Sequence, residues 1–241
     1  MGTRTDIGVD GTAMRRRLRL VAVLVVLATG IVALAIGLSR SDAGQPPAPS
    51  AIPATSAFAG IGRDGITLGS PDAPATLVEY ADVQCPFCAV YAKTVLPTVV
   101  DRYVRTGRVK LELHVLAFLG QDSVKAARAL AAAAQQERFW ELSEQLFARQ
   151  GAENSGWVTD ELLRDAMAQT AGLDVERAWI ATGSTAATRL LARAERSARR
   201  DRIAGTPAFL LSAGGATKRI EPAQLTAAGF TAALDAALAA R

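Results

Sequence analysis

The chain has 241 residues, half of them hydrophobic and only 5% aromatic, and its formal net charge at pH 7 is +4. Residues 1–19 hold five arginines against two aspartates, so this short stretch accounts for +3 of that charge. The rest of the chain is close to neutral. The basic pI of the whole chain therefore gives no argument for a nucleic-acid partner, and we expect none. The length suits one sizeable domain with further segments attached to it.

An uncharged run of Val, Leu, Ala and Ile follows the arginines, over residues 20–39. Twenty such residues are long enough to cross a bilayer as a helix. The positive-inside rule keeps the arginine cluster in the cytoplasm and sends the C-terminal bulk outward. We therefore expect a cytoplasmic basic tail at residues 1–19, a single transmembrane signal-anchor at residues 20–39, and an extracytoplasmic domain at the cell membrane.

A cleaved signal peptide is the alternative interpretation of this run. Ala33-Leu34-Ala35 fits the small-x-small pattern that precedes a cleavage site. The apolar run continues for three residues beyond that site and is longer than the usual apolar region of a signal peptide, which favours an uncleaved anchor.

Residues 40–60 are rich in Pro and Ala and carry almost no charge. Such a segment stays extended and solvated, so we predict a linker that spaces the domain at residues 61–241 from the membrane. Within that domain, residues 66–69 predict a short edge strand.

The apolar segment at residues 75–81 is rich in strand formers, and Glu79 interrupts it. An unpaired buried carboxylate is costly. If Glu79 were buried near Cys88, its pKa would be raised, and it could carry the proton between two thiols. The alternative is an edge-strand glutamate that points into solvent.

The two cysteines of the chain, Cys85 and Cys88, lie directly after this strand and are separated by Pro86 and Phe87. Apolar residues with helical spacing follow them, which predicts a helix at about residues 86–105. Pro86 suits the first helical turn, because its missing N–H would have had no partner there. A strand that delivers a CxxC motif to a helix N-terminus is typical of a thioredoxin-like redox site.

The helix N-terminus also assigns different roles to the two thiols. Its unpaired N–H groups and positive dipole end lower the pKa of Cys85, so we expect Cys85 to be the exposed nucleophile and Cys88 the resolving thiol. A structural disulfide rarely spans only two residues at a helix start. A zinc site usually needs four ligands, whereas the chain offers two cysteines and one histidine. A redox-inert pair of thiols is the remaining alternative, and we expect no metal and no organic cofactor.

The rest of the domain has clear local patterns. Residues 109–115 alternate as a half-buried strand, on which we expect His114, the single histidine, to pack or meet solvent rather than to act in catalysis. Helical patterns continue from residue 123 to residue 200, and the last of them carries a row of arginines that we expect to be solvated, with lipid headgroups or an acidic partner as the alternative. A buried strand at 208–211, a Gly-Gly hairpin, a strand at 217–220 and a helix at 222–240 close the chain.

A set of motifs over residues 61–241 resembles a known family. The motifs are Asp72-Ala73-Pro74, Glu79, Asp82, Cys85-Pro86-Phe87-Cys88 and Gly205-Thr206-Pro207-Ala208-Phe209. They resemble those of the DsbA-like thiol-disulfide oxidoreductases of the thioredoxin superfamily. The resemblance implies an α/β fold, in which an all-helical insertion at about residues 120–202 interrupts a thioredoxin fold, preceded here by the N-terminal transmembrane helix.

The resemblance also implies a substrate-binding loop at Thr206-Pro207, which faces the cysteine pair and holds substrate backbone, with Pro86 and Phe87 as further substrate contacts. A cis bond turns the Thr206 backbone outward, where it can pair with an extended substrate strand. We therefore predict that Pro207 is cis and within van der Waals reach of Cys85 and Cys88. The Pro86-Phe87 dipeptide lacks the histidine of the family's best-studied strong oxidants.

The activity implied by the resemblance is disulfide exchange on exported, unfolded or thiol-containing proteins outside the cytoplasmic membrane. We expect an oxidase that forms disulfides, which would need a quinone-linked membrane partner to reoxidise it. A reductase or isomerase would use the same residues, since the direction depends on the reduction potential. The alternative of another class is a redox-inert peptide-binding module, against which the intact CxxC motif and Glu79 argue.

Overall fold

A computed structural model describes residues 56–239 of the chain. The expected basic tail and transmembrane segment at residues 1–39, and most of the linker expected at residues 40–60, lie outside this part. Among the helices of residues 56–239, none is long and apolar enough to cross a membrane.

A mixed sheet forms the centre of the domain. Its strands within residues 56–239 are β1 (Arg63–Asp64), β2 (Thr67–Leu68), β3 (Ala75–Ala81), β4 (Lys110–Val115), β5 (Ala208–Ala213) and β6 (Ala216–Arg219). They lie in the order β1-β2-β4-β3-β5-β6, in which only the β3–β4 pair is parallel. The predicted edge strand, β2, is therefore not at the edge, because β1 folds back beside it. The two central strands, β3 and β4, each have a neighbouring strand on both sides and are the most buried of the sheet.

One long helical stretch, α1, connects β3 to β4. It has α-helical segments at Pro86–Val90 and Leu96–Val99 and wider π-helical turns at Tyr91–Val95 and Val100–Val104. At the first wide turn, the backbone N–H of Leu96 donates to the carbonyl of Tyr91, five residues earlier. Pro97 explains this widening, because a proline lacks the N–H and its ring would clash with the carbonyl four residues before it.

Helices make up the segment between β4 and β5. They are α2 (Gln121–Ala134), α3 (Phe139–Ala148), α4 (Asp160–Ala168), α5 (Val175–Ala181) and α6 (Thr185–Arg200). Thr159, Asp174 and Ser184 cap the last three by accepting a hydrogen bond from a backbone N–H of the first turn. The helical insertion predicted at about residues 120–202 is confirmed.

The arginine row of α6 lies on its solvent side, as predicted. Arg189, Arg193 and Arg196 are exposed, while Ala187 and Ala194 form part of the buried face. A helix with one small apolar face and one charged face is what a surface helix packed on a core requires.

Two boundaries differ by three residues or more from those predicted. The packed region begins within the expected linker, because Phe58 is buried and its ring lies 5.4 Å from that of Trp140. The last helix, α7 (Ala227–Ala239), begins five residues later than expected. The Thr226 hydroxyl accepts from the Gly229 N–H at 3.1 Å and so caps the helix at that point.

His114 packs inside the domain, as expected. It lies on β4, its ring contacts that of Tyr80 edge-on at 5.1 Å, and its Nε2 lies 3.3 Å from a carboxylate oxygen of Glu112. These contacts give it a packing role on a strand.

Candidate active site

The backbone places Cys85 at the N-terminal end of α1. Cys85 is the N-cap residue of the helix, with an extended backbone, and Pro86 is the first helical residue. The Cys85 thiol donates to the Thr206 carbonyl oxygen, with Sγ and oxygen 3.2 Å apart. Cys85 is 5% exposed and Cys88 is fully buried, and both are free thiols. Cys85 is thus the more accessible thiol, but it is less exposed than expected, because the Thr206 backbone lies against it.

The pKa values of the two thiols move in opposite directions. The hydrogen bond with Cys88 is the largest cause of a lowered pKa at Cys85, which falls to about 6 although burial opposes the change. The Thr206 side chain and the backbone N–H groups of Phe87 and Cys88 lower the pKa of Cys85 further. Burial is the main cause that raises the pKa of Cys88, and the charges of Cys85 and Glu79 add to it. Cys85 is therefore largely a thiolate at neutral pH, and Cys88 stays protonated.

Glu79 lies in the middle of β3, between Leu113 of β4 and Phe209 of β5. Its side chain is only 3% exposed, so the alternative of a solvent-facing glutamate is wrong. Burial raises the pKa of Glu79 to about 8. Its charge also contributes to the raised pKa of Cys88. A carboxyl with this pKa gains and loses its proton near neutral pH.

Tyr91 shares the interior with Glu79 and Cys88. It is three residues after Cys88 on α1, its ring lies 4.5 Å from that of Phe209, and the nearby charge of Glu79 adds to the effect of burial in raising the pKa of its phenol. Its buried hydroxyl has no hydrogen-bond partner among residues 56–239. Tyr91 therefore adds a buried hydroxyl without a hydrogen bond to the surroundings of Glu79.

Asp82 holds the loop that leads into the helix. It is fully buried, and its carboxylate accepts hydrogen bonds from the Gln84 N–H at 2.9 Å, the Ser123 hydroxyl at 2.6 Å, and the backbone N–H groups of Phe118 and Leu119 at 3.1 and 3.2 Å. Four donors satisfy a buried charge that would otherwise be costly. The family resemblance includes Asp82, but sequence reasoning gave it no role.

Gln150 is a residue of this site that sequence reasoning missed. Its Nε2 donates to the carbonyl of Cys85 at 3.0 Å and to that of Val83 at 2.5 Å. It lies 65 residues after Cys85, in the loop after α3, and a lone glutamine there gives no sequence signal. Gln150 therefore ties the helical insertion to the active-site loop.

The Thr206-Pro207 bond is cis, which confirms that part of the prediction. Beside it lies an open groove of about 620 Å³. Its lining includes the exposed Phe87, the Thr206-Pro207 loop, and residues of the β6 end; the set is Phe87, Arg202, Ala204, Gly205, Thr206, Pro207, Ala208, Phe209, Arg219, Ile220, Glu221, Pro222 and Leu225. Three of the predicted substrate contacts thus border one groove, and Pro86 is exposed next to Phe87 but does not line it. No group of three or more His, Cys, Asp or Glu residues within 56–239 could hold a metal ion.

A thioredoxin-type sheet with a helical insertion, a CxxC motif at a helix N-terminus and a cis-proline loop beside it define a DsbA-like thioredoxin fold. A thioredoxin family model matches residues 63–235, and the chain belongs to that family. The resemblance noted from the sequence motifs is confirmed.

Individual relatives agree with this assignment. The chain is 35% identical to the probable disulfide bond formation protein D of Bacillus anthracis over 99 residues, which are 40% of this chain and 46% of the relative. It is 33% identical to the disulfide bond formation protein D of Bacillus subtilis over 111 residues, 45% of this chain and 50% of the relative. The chain spans about half the length of the curated relatives it matches. The crystal structure of oxidised BdbD from Bacillus subtilis has a TM-score of 0.64 and 24% identity, and it covers 73% of this chain and 94% of that one; this likeness shows the fold.

Proposed function

We propose that this protein is a disulfide-forming oxidase that acts on exported, thiol-containing proteins. The observation that supports the direction is the lowered pKa of Cys85, which is about 6. A stabilised thiolate stabilises the reduced form of the pair relative to the disulfide, and a pair with a stable reduced form is a strong oxidant. The named function of the Bacillus relatives, disulfide bond formation, supports the same direction.

The site residues divide the reaction between them. In the oxidised protein, a substrate thiolate attacks Sγ of Cys85, the Cys85–Cys88 bond breaks, and Cys88 leaves as a thiolate that takes a proton from Glu79. A second substrate thiolate then attacks the substrate sulfur of the mixed disulfide, which releases Cys85 as its stabilised thiolate. The substrate dithiol loses two electrons and becomes a disulfide, and the protein pair gains them. The Thr206-Pro207 loop and Phe87 hold the substrate chain during both steps.

Turnover requires the pair to be reoxidised. We propose a quinone-linked membrane protein as the electron acceptor, and a location of the domain outside the cytoplasmic membrane, anchored by residues 20–39. The support for this location is the arginine-rich end followed by the uncharged run.

The reduction potential of the Cys85–Cys88 pair tests the proposal. The protein is equilibrated with mixtures of reduced and oxidised glutathione, and the fraction of reduced protein is read by thiol labelling. We expect a potential less negative than about −180 mV, in the range of strong oxidants. A value near that of thioredoxin, about −270 mV, would instead indicate a reductase. A pair that does not exchange at all would leave the peptide-binding module as the function.

A further inference from the structure

Arg202 occupies a backbone position that normally suits glycine. It follows the C-terminal end of α6, and its φ is +54°, in the left-handed region. The Ile203 N–H donates to the Ala198 carbonyl at 2.9 Å, and the Arg202 N–H donates to that of Arg199 at 3.2 Å. This pair of bonds is a Schellman motif, whose left-handed residue is usually glycine because a side chain there is strained. The backbone at Arg202 is thus strained for a residue with a side chain, which makes that side chain a candidate for a functional role.

The Arg202 side chain borders the groove beside the active site. It is exposed and lines the groove together with Thr206, Pro207 and Phe87, whose ring is 63% exposed. Since the Thr206 carbonyl lies 3.2 Å from Sγ of Cys85, the groove that Arg202 lines adjoins the nucleophile.

The charge of Arg202 is not compensated by its neighbours. Of the charged side chains that line the groove, Arg219 and Glu221 lie 3.9 Å apart and pair with each other. The adjacent Asp201 accepts from the Arg200 guanidinium at 2.8 Å and from the Tyr80 hydroxyl at 2.5 Å. Within residues 56–239 the Arg202 guanidinium has no hydrogen-bond or ion-pair partner of its own. The groove therefore presents a cation that an acidic ligand would complement.

We propose that Arg202 is a specificity-determining residue that binds an acidic side chain of the substrate, so that cysteines flanked by Asp or Glu are preferred. This inference rests on the proposed function and names the substrate class of the same groove. A guanidinium can hold a carboxylate through two parallel N–H bonds, which fixes the approach of the peptide as well as attracting it. Because the pair is exposed to solvent, its effect is moderate and screened by salt.

The test uses the full chain and three dithiol peptides that differ only in the residues flanking one cysteine, which are Glu, Gln or Lys. We expect kcat/KM for oxidation to be about three- to fivefold higher for the Glu peptide than for the Gln peptide, and this ratio to approach one at high salt. In Arg202→Gly, which removes the cation and suits the left-handed backbone, the ratio falls to one and the melting temperature does not fall. Arg202→Glu should reverse the order in favour of the Lys peptide. Arg196→Gln, on the exposed face of α6, is the control and keeps the ratio.

A binding measurement separates this inference from the proposed activity. Peptides in which both cysteines are serine bind without exchange, and their affinity is read by fluorescence anisotropy. Tighter binding of the Glu peptide to the native protein but not to Arg202→Gly supports the inference even if no oxidation occurs. Equal affinity for the Glu and Gln peptides, or a Glu preference that persists in Arg202→Gly, overturns it.

Discussion

At the level of single residues, the site depends on a contrast between two neighbouring thiols. Cys85 lies at a helix end and receives a hydrogen bond from Cys88, whereas Cys88 is buried and faces the charge of Glu79. Ionising Cys85 gains hydrogen bonds, whereas ionising Cys88 loses solvation, for which one backbone hydrogen bond compensates only in part. The same environment that activates the first thiol therefore keeps the second protonated until it is needed.

Removing the Cys88 thiol should raise the pKa of Cys85, since their hydrogen bond is the largest cause that lowers it from about 9 to about 6. We expect alkylation of the native reduced protein to follow pH with a midpoint near 6. The midpoint should move up in Cys88→Ala and lie between the two in Cys88→Ser, which keeps a hydroxyl donor. The rate of reaction with iodoacetamide against pH is the measurement, and identical midpoints in all three proteins would contradict it.

The buried Glu79 should make the stability of the reduced protein depend on pH. Burial raises its pKa from 4.5 to about 8, so between these values the folded carboxyl holds a proton that the unfolded chain releases. The stability contributed by this proton is present below pH 4.5 and is lost as the pH rises towards 8. Glu79→Gln cannot ionise and should be more stable than the native protein at pH 8, by on the order of 5 kcal/mol, with little difference near pH 4.5.

Urea unfolding at pH 5 and pH 8 measures this difference. Glu153→Gln is the matched control, because Glu153 is exposed and its substitution should leave both values unchanged. Parallel pH profiles for the native protein and Glu79→Gln would show that the Glu79 carboxyl does not titrate in this range.

At the level of elements, the active-site loop is fixed by contacts from the helical insertion. The Asp82 carboxylate binds the Ser123 hydroxyl at the start of α2, and Gln150, after α3, holds the carbonyls of Val83 and Cys85. The insertion therefore supplies part of the frame that positions the nucleophile, although it contributes neither thiol.

Replacing Asp82 with Asn should destabilise the domain. One carboxylate oxygen accepts from the N–H groups of Phe118 and Leu119, and the other accepts from the Gln84 N–H and the Ser123 hydroxyl. In asparagine an NH2 group, which cannot accept, replaces one of these oxygens, so one of the two pairs of donors loses its acceptor. We expect a loss of about 2–4 kcal/mol in the free energy of unfolding at pH 7. Asp72→Asn, at an exposed turn, is the control and should cost almost nothing. Equal midpoints in urea for the two variants would contradict this role.

Most elements could be predicted because their signals are local. The strand at 75–81, the helix after the CxxC motif and the hairpin at Gly214 each follow from spacing and turn residues within a few positions. The burial of Phe58 could not, because its partner Trp140 is 82 residues away. Pro97 causes the wide turn before it, which is a local effect. The turn forms only because the helix continues beyond the proline, and that continuation depends on how α1 packs in the domain.

The same distinction applies to the candidate site. Cys85, Cys88 and Glu79 stand close together in sequence, and chemistry indicated them directly. Pro207 was identified only through the family motif, since nothing local to it indicates a cysteine more than a hundred residues earlier. Gln150 and Arg202 carry no motif, and their relevance comes from what the fold brings beside them.

At the level of the whole molecule, the sheet and the insertion share the site between them. The sheet provides Glu79, the loop before β5 provides Pro207, the N-terminal end of α1 provides both thiols, and the turn after α6 provides Arg202 beside the groove. In the proposed reaction, a substrate in the groove lies against the exposed Phe87 and the cis-proline loop, whose Thr206 carbonyl is 3.2 Å from Sγ of Cys85. Recognition and chemistry therefore use adjacent but separate residues.

The N-terminal 39 residues should determine where this protein works. Residues 1–19 carry a net charge of +3, and residues 20–39 are uncharged and apolar, so we expect the full chain to remain in the membrane with its thiol domain outside. Replacing Arg15, Arg16 and Arg17 with Glu should weaken this orientation, because the positive charges hold the N-terminus in the cytoplasm.

Fractionation, followed by protease treatment of intact cells, measures both points. The domain of the native chain should be degraded from outside while a cytoplasmic marker survives, and the Arg→Glu variant should show a protected fraction. Recovery of a soluble protein that begins at Ile36 would contradict the anchor and show a cleaved signal peptide instead, because Ala33-Leu34-Ala35 is the cleavage pattern in this stretch. A domain protected from the protease in intact cells would contradict the extracytoplasmic location, and with it the access to exported substrates on which the proposed function depends.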